Sequence, residues 1–293
     1  MHLKEVAIIG AGPGGIAAAI QLKRYGMEPL LLEKSHIGGL LVNANLVENY
    51  PGFPGGIPGA DLVKLFESHL GEIGMPVHFE EVVRLDWQES FIIETRDTKF
   101  HSRIAVVASG TKPRRFTDIE IPPEATERVF YEVYPIAGVA DKRIAIVGAG
   151  DASFDYALNL ARRNEVTILN RGQKKRCLPL LGERAERSPR ISYREDTSIA
   201  AIKGSRDGLV LDIKSPAGKW ELSADYVIFA IGRVRQLDYF SERLTKMASE
   251  LEERGLLYFV GDVRNDIYRQ SSIAVGDGVH VAMKIYRRSQ CKF

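Results

Sequence analysis

The chain has 293 residues, 45% of them apolar, so it is long enough to bury a large core and to form two domains. Its 40 basic and 38 acidic side chains leave a formal charge of +2, which gives no general attraction to nucleic acid or to a membrane. The only two cysteines, Cys177 and Cys291, lie far apart, which excludes a disulfide framework and argues against any metal site of zinc or iron–sulfur type.

Short apolar, β-branched runs alternate with helical stretches along the chain, a pattern typical of a parallel α/β sheet that is buried on both faces. One predicted set of strands covers residues 6–9, 29–32 and 104–108, and a second covers 143–147, 166–169 and 226–231. A strand at 256–260 and a helix that starts near Ser271 follow. The stretches 110–135 and 232–236, which contain glycine or proline, are predicted to link the two sets.

The first predicted strand begins close to the amino terminus and leaves no room for a signal peptide. No apolar stretch approaches the roughly 18 residues that a membrane-spanning helix needs. We therefore expect a cytoplasmic protein without a membrane partner.

A glycine-rich turn, Gly10-Ala-Gly-Pro-Gly-Gly15, joins the first predicted strand to an alanine-rich helix over 16–24. In a dinucleotide-binding βαβ unit, Gly10 makes the tight turn, Gly12 lets the backbone approach a pyrophosphate, and Gly15 lets the helix pack on the strand. The helix amino terminus offers unpaired N–H groups to the phosphates. Glu33, eighteen residues after Gly15, stands where a carboxylate binds an adenosine ribose. These residues predict a site for NAD or FAD.

A second turn of this kind, Gly148-Ala-Gly-Asp-Ala-Ser153, lies between the predicted strand 143–147 and a helix over 154–162. Gly148 and Gly150 keep the first two glycine positions. Ser153 replaces the third glycine, with a side chain small enough to keep the helix near the strand. The motif predicts a second dinucleotide site.

The end of the next strand indicates which nucleotide the second site prefers. An acid there would pair with the 2′-hydroxyl of NADH and repel a 2′-phosphate, but this chain has Asn170-Arg171. The run continues with the cations Lys174, Lys175 and Arg176, which suit a phosphate and favour NADPH. A solvated basic surface is the alternative. Nucleic-acid binding is disfavoured because no aromatic residues are interleaved with these cations.

Nearly the full length of the chain resembles the low-molecular-weight thioredoxin reductase family, especially its ferredoxin–NADP reductase branch. The resemblance rests on Gly38-Gly-Leu-Leu41, Val47-Glu-Asn-Tyr-Pro-Gly-Phe53, Val107-Ala-Ser-Gly-Thr-Lys-Pro-Arg114, Val260-Gly-Asp-Val263 and Tyr268-Arg-Gln-Ser-Ser-Ile-Ala-Val-Gly276. It implies an α/β fold of two Rossmann-like domains of three-layer ββα type, with the NADPH domain inserted into the FAD domain. The implied bounds are 1–112 and 236–293 for the FAD domain and 113–235 for the NADPH domain.

The resemblance also implies the residues that hold each cofactor. Asp262 would bind the ribitol, and a helix starting at Ser271 would direct its positive end toward the part of the flavin that is negative when reduced. The implied FAD residues are Gly10, Gly12, Pro13, Gly14, Gly15, Glu33, Lys34, Gly39, Leu40, Asn49, Val83, Ser109, Gly110, Gly261, Asp262, Gln270 and Ser271. The implied NADPH residues are Gly148, Gly150, Asp151, Ala152, Ser153, Asn170, Arg171, Arg176, Ile231 and Gly232.

Thioredoxin reductases carry a Cys-x-x-Cys shortly before the second glycine-rich turn, and this dithiol passes electrons from the flavin to thioredoxin. No cysteine precedes Gly148 here, so composition excludes a dithiol relay within this chain. The resemblance to the ferredoxin–NADP reductase branch implies an enzyme that takes hydride from NADPH onto FAD and passes electrons directly to an external acceptor. Cys177, among cations, has the surroundings of a reactive thiolate, but an ordinary packing residue is the favoured interpretation.

Two alternatives stay open. The first is a thioredoxin-reductase-like enzyme that acts on the disulfide of a partner or of a small molecule. The second is a flavin-binding sensor or assembly subunit without turnover, suggested by the departures in the NADPH motif. The resemblance further implies a homodimer, and the surplus positive charge between Arg162 and Arg194 suits an acidic redox protein such as ferredoxin.

Overall fold

The computed structural model describes residues 3–290, which form two compact units. The first unit contains the chain up to Val42, Val47–Lys112 and the chain from Val234, and the second contains Asn43–Leu46 and Pro113–Arg233. Cys291 lies outside the described residues. No helix within the described part of the chain has both the length and the apolarity needed to cross a bilayer.

The strands and helices are numbered in chain order. The strands are β1 (Leu3–Ile9), β2 (Leu30–Glu33), β3 (Val77–Phe79), β4 (Val82–Trp87), β5 (Phe91–Thr95), β6 (Lys99–Val107), β7 (Thr111–Pro113), β8 (Val129–Phe130), β9 (Arg143–Val147), β10 (Glu165–Leu169), β11 (Ile191–Arg194), β12 (Ser198–Ser205), β13 (Gly208–Ser215), β14 (Gly218–Ala224), β15 (Tyr226–Phe229), β16 (Arg233–Arg235) and β17 (Leu257–Phe259). The helices are α1 (Pro13–Arg24), α2 (Gly59–Glu72), α3 (Asp151–Leu160), α4 (Pro179–Glu186), α5 (Glu242–Glu253) and α6 (Ser271–Gln290).

The sheet of the first unit is centred on β1. This strand pairs in parallel with β2 and β6, and the sheet continues in parallel through β3 on one side and β17 on the other. β4 and β5 form an antiparallel meander with the amino-terminal half of β6. The carboxyl ends of β1, β2, β6 and β17 therefore meet at one edge, where α/β sheets bind their ligands.

The last four residues of β1, from Val6 to Ile9, are buried on both faces, which explains their continuous apolar sequence. Val6 and Ile8 pack against α1 and α6, whereas Ala7 and Ile9 pack on the opposite face with the meander and α5. Helices α1 and α6 meet at two glycines, because a Cβ on Gly278 would lie 2.2 Å from the Gly14 oxygen. This close packing holds the amino-terminal part of α6 beside the loop that follows β1.

The second unit repeats this architecture around β9. Its parallel sheet has the order β11-β10-β9-β15-β8, with α3 and α4 on one face and the antiparallel sheet β12-β13-β14 on the other. Ile144 and Ile146 of β9 point to the helical face, and Ala145 points to the face that holds the small sheet. The predicted α/β fold with Rossmann-like units is confirmed.

Ser241 joins α5 to the meander of the first unit. Its hydroxyl accepts a hydrogen bond from the Leu244 N–H at 3.0 Å and donates one to the Asp86 carboxylate at 2.6 Å. Burial alone raises the pKa of Asp86, but hydrogen bonds from Ser241, the Trp87 N–H and Arg84 outweigh it, and the pKa is lowered. An aspartate with a lowered pKa stabilises the fold above its ordinary pKa, and this contribution is lost as the pH falls through the lowered value.

Replacing Ser241 by alanine should reduce the free energy of unfolding by about 2 kcal/mol at neutral pH, because a helix cap and a hydrogen bond to a buried charge are lost. The loss should shrink as the pH falls from about 4 toward the lowered pKa of Asp86, where the carboxylate of the folded protein becomes protonated. Urea unfolding measures both effects. Ser249→Ala, at an exposed position of the same helix, is the control and should cost less than about 0.5 kcal/mol. Equal losses in the two variants would contradict the assignment.

Candidate functional site

The glycines of the first loop have different tasks. Gly10 has φ +108° and a Cβ there would lie 2.4 Å from the Ala108 oxygen, while a Cβ on Gly15 would lie 1.9 Å from the Gly10 oxygen. The loop itself therefore requires both glycines. Gly12 has φ −75°, which any residue adopts, and a Cβ there would meet no atom within 4 Å. The fold does not need a glycine at this position, so the open space at Gly12 is available to a bound ligand.

The amino terminus of α1 is suited to an anion. Gly12 is its N-cap and provides no side-chain hydrogen bond, Pro13 lies in the first turn, and no acidic residue lies there. The first N–H groups of a helix lack intrahelical partners and carry the positive end of the helix dipole. The open space at Gly12 and this charge fit a pyrophosphate.

Glu33 ends β2 beside this loop and is 7% exposed. One carboxylate oxygen accepts a hydrogen bond from the Ala11 N–H at 2.8 Å, and the other accepts one from the Ser35 N–H at 3.0 Å. These contacts fix the carboxylate, and each oxygen keeps capacity to accept a ribose hydroxyl. Lys34 is exposed and donates to the Gln236 side chain at 3.2 Å.

Other predicted FAD residues gather around the same loop. A Cβ on Gly39 would lie 3.5 Å from the Gly12 Cα, a Cβ on Gly14 would lie 3.6 Å from the Gly261 nitrogen, and one on Gly10 would lie 3.2 Å from the Ser109 nitrogen. Leu40 follows Gly39 in a short 3₁₀ helix, Gly110 follows Ser109 with φ +63°, and Asp262 follows Gly261 in a further 3₁₀ turn.

The region before α6 is fixed by a side-chain pair. The Asn49 amide donates to the Gln270 side-chain oxygen at 2.8 Å, and Ser271 begins the helix, whose first turn contains no acidic residue. Val83 belongs to a different part of the unit. It is 47% exposed near the beginning of β4, where it lines an open cleft of about 430 Å³ with Asp238 and Arg243. Its contact with FAD stays a prediction.

The second loop divides its tasks in the same way. Gly148 has φ +134° and a Cβ there would lie 2.4 Å from the Ala230 oxygen, whereas a Cβ on Gly150 would meet nothing within 4 Å. Ser153 is fully buried, and its hydroxyl has no hydrogen-bond partner among the described residues. A serine is therefore accommodated at the third position, but its hydroxyl contributes no hydrogen bond to the fold.

The segment after β10 folds back over this second loop. The Arg176 N–H donates to the Ala149 oxygen at 2.8 Å, and the Leu178 N–H donates to the Asp151 carboxylate at 2.7 Å. Asp151 and the exposed Ala152 form the first turn of α3. Ile231 and Gly232 follow β15, and the Gly232 oxygen accepts a hydrogen bond from the Arg114 N–H at 3.0 Å.

Arg171 and Arg176 are exposed, and neither forms an ion pair within residues 3–290. Asn170 is different, because its side chain is 8% exposed and turned into the loop. Its amide donates to the Tyr193 hydroxyl at 2.8 Å and to the Lys174 oxygen at 3.2 Å, and its carbonyl oxygen accepts from the Gly172 N–H at 3.2 Å. Sequence reasoning missed Tyr193, which only the pairing of β10 with β11 brings to this position.

A model of the pyridine nucleotide-disulphide oxidoreductase family matches residues 4–278 of this chain. The chain belongs to this family. A thioredoxin reductase of Chlamydia pneumoniae is 28% identical to it, over 97% of this chain and 98% of that protein. A 34.2 kDa protein in the rubredoxin operon of Clostridium pasteurianum is 28% identical over 95% of both chains. The crystal structure of Lactococcus lactis thioredoxin reductase in its FR conformation has 27% identity and a TM-score of 0.84, covering 97% of this chain and 98% of that chain.

The predicted membership of a thioredoxin-reductase-like family is thus confirmed, and so is the prediction of an NAD(P)H-dependent flavoprotein oxidoreductase. The family uses FAD and NADPH, which confirms the predicted cofactors. The open cradles at Gly12 and Gly150 fit two dinucleotides. No group of three His, Cys, Asp or Glu side chains in the described part of the chain is arranged to hold a metal ion.

Cys177 packs as a small residue. It is half-buried against the core of the second unit, and a Cβ on Gly182 would lie 3.5 Å from its sulfur. Burial raises the pKa of the thiol and outweighs the opposite effect of Lys175. The thiol is therefore protonated at neutral pH, which supports the packing interpretation over a reactive thiolate.

Because the space at Gly12 is open, a substitution there should weaken cofactor binding far more than it destabilises the fold. Gly12→Ala should weaken FAD binding about tenfold or more, because the added methyl group would cost about 1–3 kcal/mol against a bound pyrophosphate. The stability of its apoprotein should fall by less than about 1 kcal/mol, because alanine is a poorer N-cap than glycine. Gly15→Ala, the matched variant, should destabilise the apoprotein, because its Cβ would lie 1.9 Å from the Gly10 oxygen. Fluorescence titration with FAD and urea unfolding of both apoproteins measure these effects, and equal destabilisation would contradict the prediction.

Proposed function

We propose that the protein is an NADPH-dependent reductase whose acceptor is a disulfide outside this chain, in a small redox protein or a small molecule. The thioredoxin reductases among its relatives favour this reaction over reduction of ferredoxin, the reaction that the sequence first suggested. The proposal rests on two dinucleotide cradles, at Gly12 and Gly150, in a chain whose sequence has no Cys-x-x-Cys to pass electrons to the acceptor.

The reaction balances without a thiol of this chain. NADPH, one proton and the external disulfide give NADP⁺ and two thiols. Bound FAD supplies the chemistry, because it takes up a hydride and returns two electrons to an acceptor. The protein contributes binding and orientation, so no acid or base of the chain is assigned to the hydride transfer.

In the first unit, Gly12 and the amino terminus of α1 would hold the pyrophosphate, and Glu33 would hold the adenosine ribose. The carboxylate of Glu33 is already fixed by two backbone N–H groups, so its orientation costs little on binding. The Asn49–Gln270 pair and the amino terminus of α6 would lie against the flavin ring. The positive end of α6 would favour the reduced, negatively charged ring.

In the second unit, Gly150 and the amino terminus of α3 would hold the pyrophosphate of NADPH. Arg171 and Arg176 would bind the 2′-phosphate through charge-assisted hydrogen bonds. The domain bounds of the Sequence analysis and a homodimer belong to the same proposal and rest on the family resemblance. A cytoplasmic location, which was expected from the sequence itself, also belongs to it.

Ferredoxin or rubredoxin is the second candidate for the acceptor. It is supported by the relative from a rubredoxin operon and by the basic run from Arg162 to Arg194, which suits an acidic iron–sulfur protein. A flavin-binding sensor without turnover is the candidate from a different class.

Anaerobic titration with NADPH separates these functions. The flavin absorbance should bleach on addition of one equivalent of NADPH, and the colour should return when oxidised thioredoxin or a small disulfide is added. Recovery only with ferredoxin or rubredoxin would favour the second candidate. Absence of bleaching with both NADPH and NADH would overturn the enzyme assignment and leave the sensor.

The double variant Arg171→Ala/Arg176→Ala tests the choice of nucleotide. Loss of two charge-assisted hydrogen bonds should raise the KM for NADPH about a hundredfold, whereas the KM for NADH should change less than about threefold. Steady-state kinetics with ferricyanide as acceptor measures both constants. Arg187→Ala, which removes another exposed arginine of this basic run, is the control. Equal increases for NADPH and NADH would contradict the phosphate assignment.

A further inference from the structure

We propose that Asn170 and Tyr193 form a clamp that shapes the loop 170–176, and that the clamp presents Lys174 to the 2′-phosphate of NADPH while Lys175 is withdrawn from it. This inference rests on the proposed NADPH site and adds one ligand and two positioning residues to it. The loop 170–176 is called the phosphate loop below.

Asn170 closes the phosphate loop from inside. Its side-chain oxygen accepts a hydrogen bond from the Gly172 N–H. Its side-chain amide nitrogen donates to the backbone oxygen of Lys174 and to the Tyr193 hydroxyl. These three hydrogen bonds use both ends of a side chain that is 8% exposed. The Asn170 side chain therefore holds the loop in its conformation, and its amide already donates two hydrogen bonds within the protein.

The phosphate loop is also tied to its surroundings at several points. The Thr197 N–H donates to the backbone oxygen of Asn170 at 2.8 Å, and the Asp196 N–H donates to the backbone oxygen of Gly172 at 3.1 Å. At its other end the Arg176 N–H donates to the Ala149 oxygen at 2.8 Å, beside the open position of Gly150. A loop that is fixed in this way loses little conformational freedom when a ligand binds.

The two neighbouring lysines of the phosphate loop have opposite environments. Lys175 forms an ion pair with Glu186 of α4, and its ammonium group lies 4.8 Å from the centre of the Tyr193 ring. The ion pair with Glu186 also raises the pKa of Lys175. Its charge is therefore largely compensated, and it points toward α4 and β11.

Lys174 is exposed and forms no ion pair with any residue in the range 3–290, as is also the case for Arg171 and Arg176. Three uncompensated cations are thus carried by one loop of seven residues that ends beside the second glycine-rich turn. Their mutual repulsion is relieved by a dianionic group. A 2′-phosphate has this charge, whereas the 2′-hydroxyl of NADH does not.

The test compares Lys174→Ala with Lys175→Ala, a matched pair in adjacent positions. KM and kcat for NADPH and NADH are measured with ferricyanide, so that the result does not depend on the physiological acceptor. Lys174→Ala should raise the KM for NADPH about fivefold to tenfold and leave that for NADH unchanged. Lys175→Ala should raise the KM for NADPH less than about twofold.

Tyr193→Phe tests the clamp, because it removes the hydroxyl that accepts from Asn170 but keeps the ring beneath Lys175. It should raise the KM for NADPH about threefold, with kcat and the KM for NADH unchanged. A merely structural role would change all constants together. Glu186→Gln releases Lys175 without removing a cation, and it should not raise the KM for NADPH.

Equal effects of Lys174→Ala and Lys175→Ala on the KM for NADPH would overturn the assignment of the two lysines. An unchanged KM in Tyr193→Phe would overturn the clamp. If the unaltered protein shows no preference for NADPH over NADH, the proposed NADPH site itself fails, and this outcome is visible before any variant is made.

Discussion

The close approach of Gly15 to the Gly10 carbonyl is the contact on which the first site depends. Because the Gly15 Cα has no side chain, α1 can start directly behind the turn, and a Cβ would lie only 1.9 Å from the Gly10 oxygen. The helix amino terminus is thereby held at the carboxyl edge of the sheet, with Gly12 open in front of it. Glu33, Ser109 and Gly261 reach the same edge because the carboxyl ends of their parallel strands meet there.

The second unit has Ser153 where the first has Gly15, and its turn depends instead on Gly148, whose Cβ would lie 2.4 Å from the Ala230 oxygen. The charge that would select its nucleotide comes from another part of the unit. There the strand end carries no acid, and a loop held by buried hydrogen bonds carries the charge. The Asn170 side chain makes three hydrogen bonds that hold this loop, so a residue predicted to bind NADPH is also part of the loop's support. A loop of this kind can select a nucleotide when a carboxylate neutralises one of its cations and leaves the others to bind a phosphate.

Sequence patterns predicted the parts of the fold that depend on neighbouring residues. The glycine spacings located both turns, and the start of α6 at Ser271 agrees with the prediction. The meander β4–β5 and the small sheet β12–β14 were not predicted, because their strands are partly exposed and lack the continuous apolar runs of buried parallel strands. The contact between Asn170 and Tyr193 was missed because it joins residues distant in sequence. The inclusion of Asn43–Leu46 in the second unit also depends on distant contacts, such as the hydrogen bond from Arg162 to Asn45 at 2.6 Å.

In the proposed reaction, electrons leave the flavin for an external disulfide without passing through a thiol of this chain. The direct test is the steady-state rate of NADPH-dependent disulfide reduction by the cysteine-free variant Cys177→Ser/Cys291→Ser, with ferricyanide reduction as a measure of intact flavin reduction. We expect both rates to stay within about twofold of those of the unaltered protein, because no step uses either cysteine. Loss of disulfide reduction with ferricyanide reduction retained would show that a thiol of this chain carries the electrons.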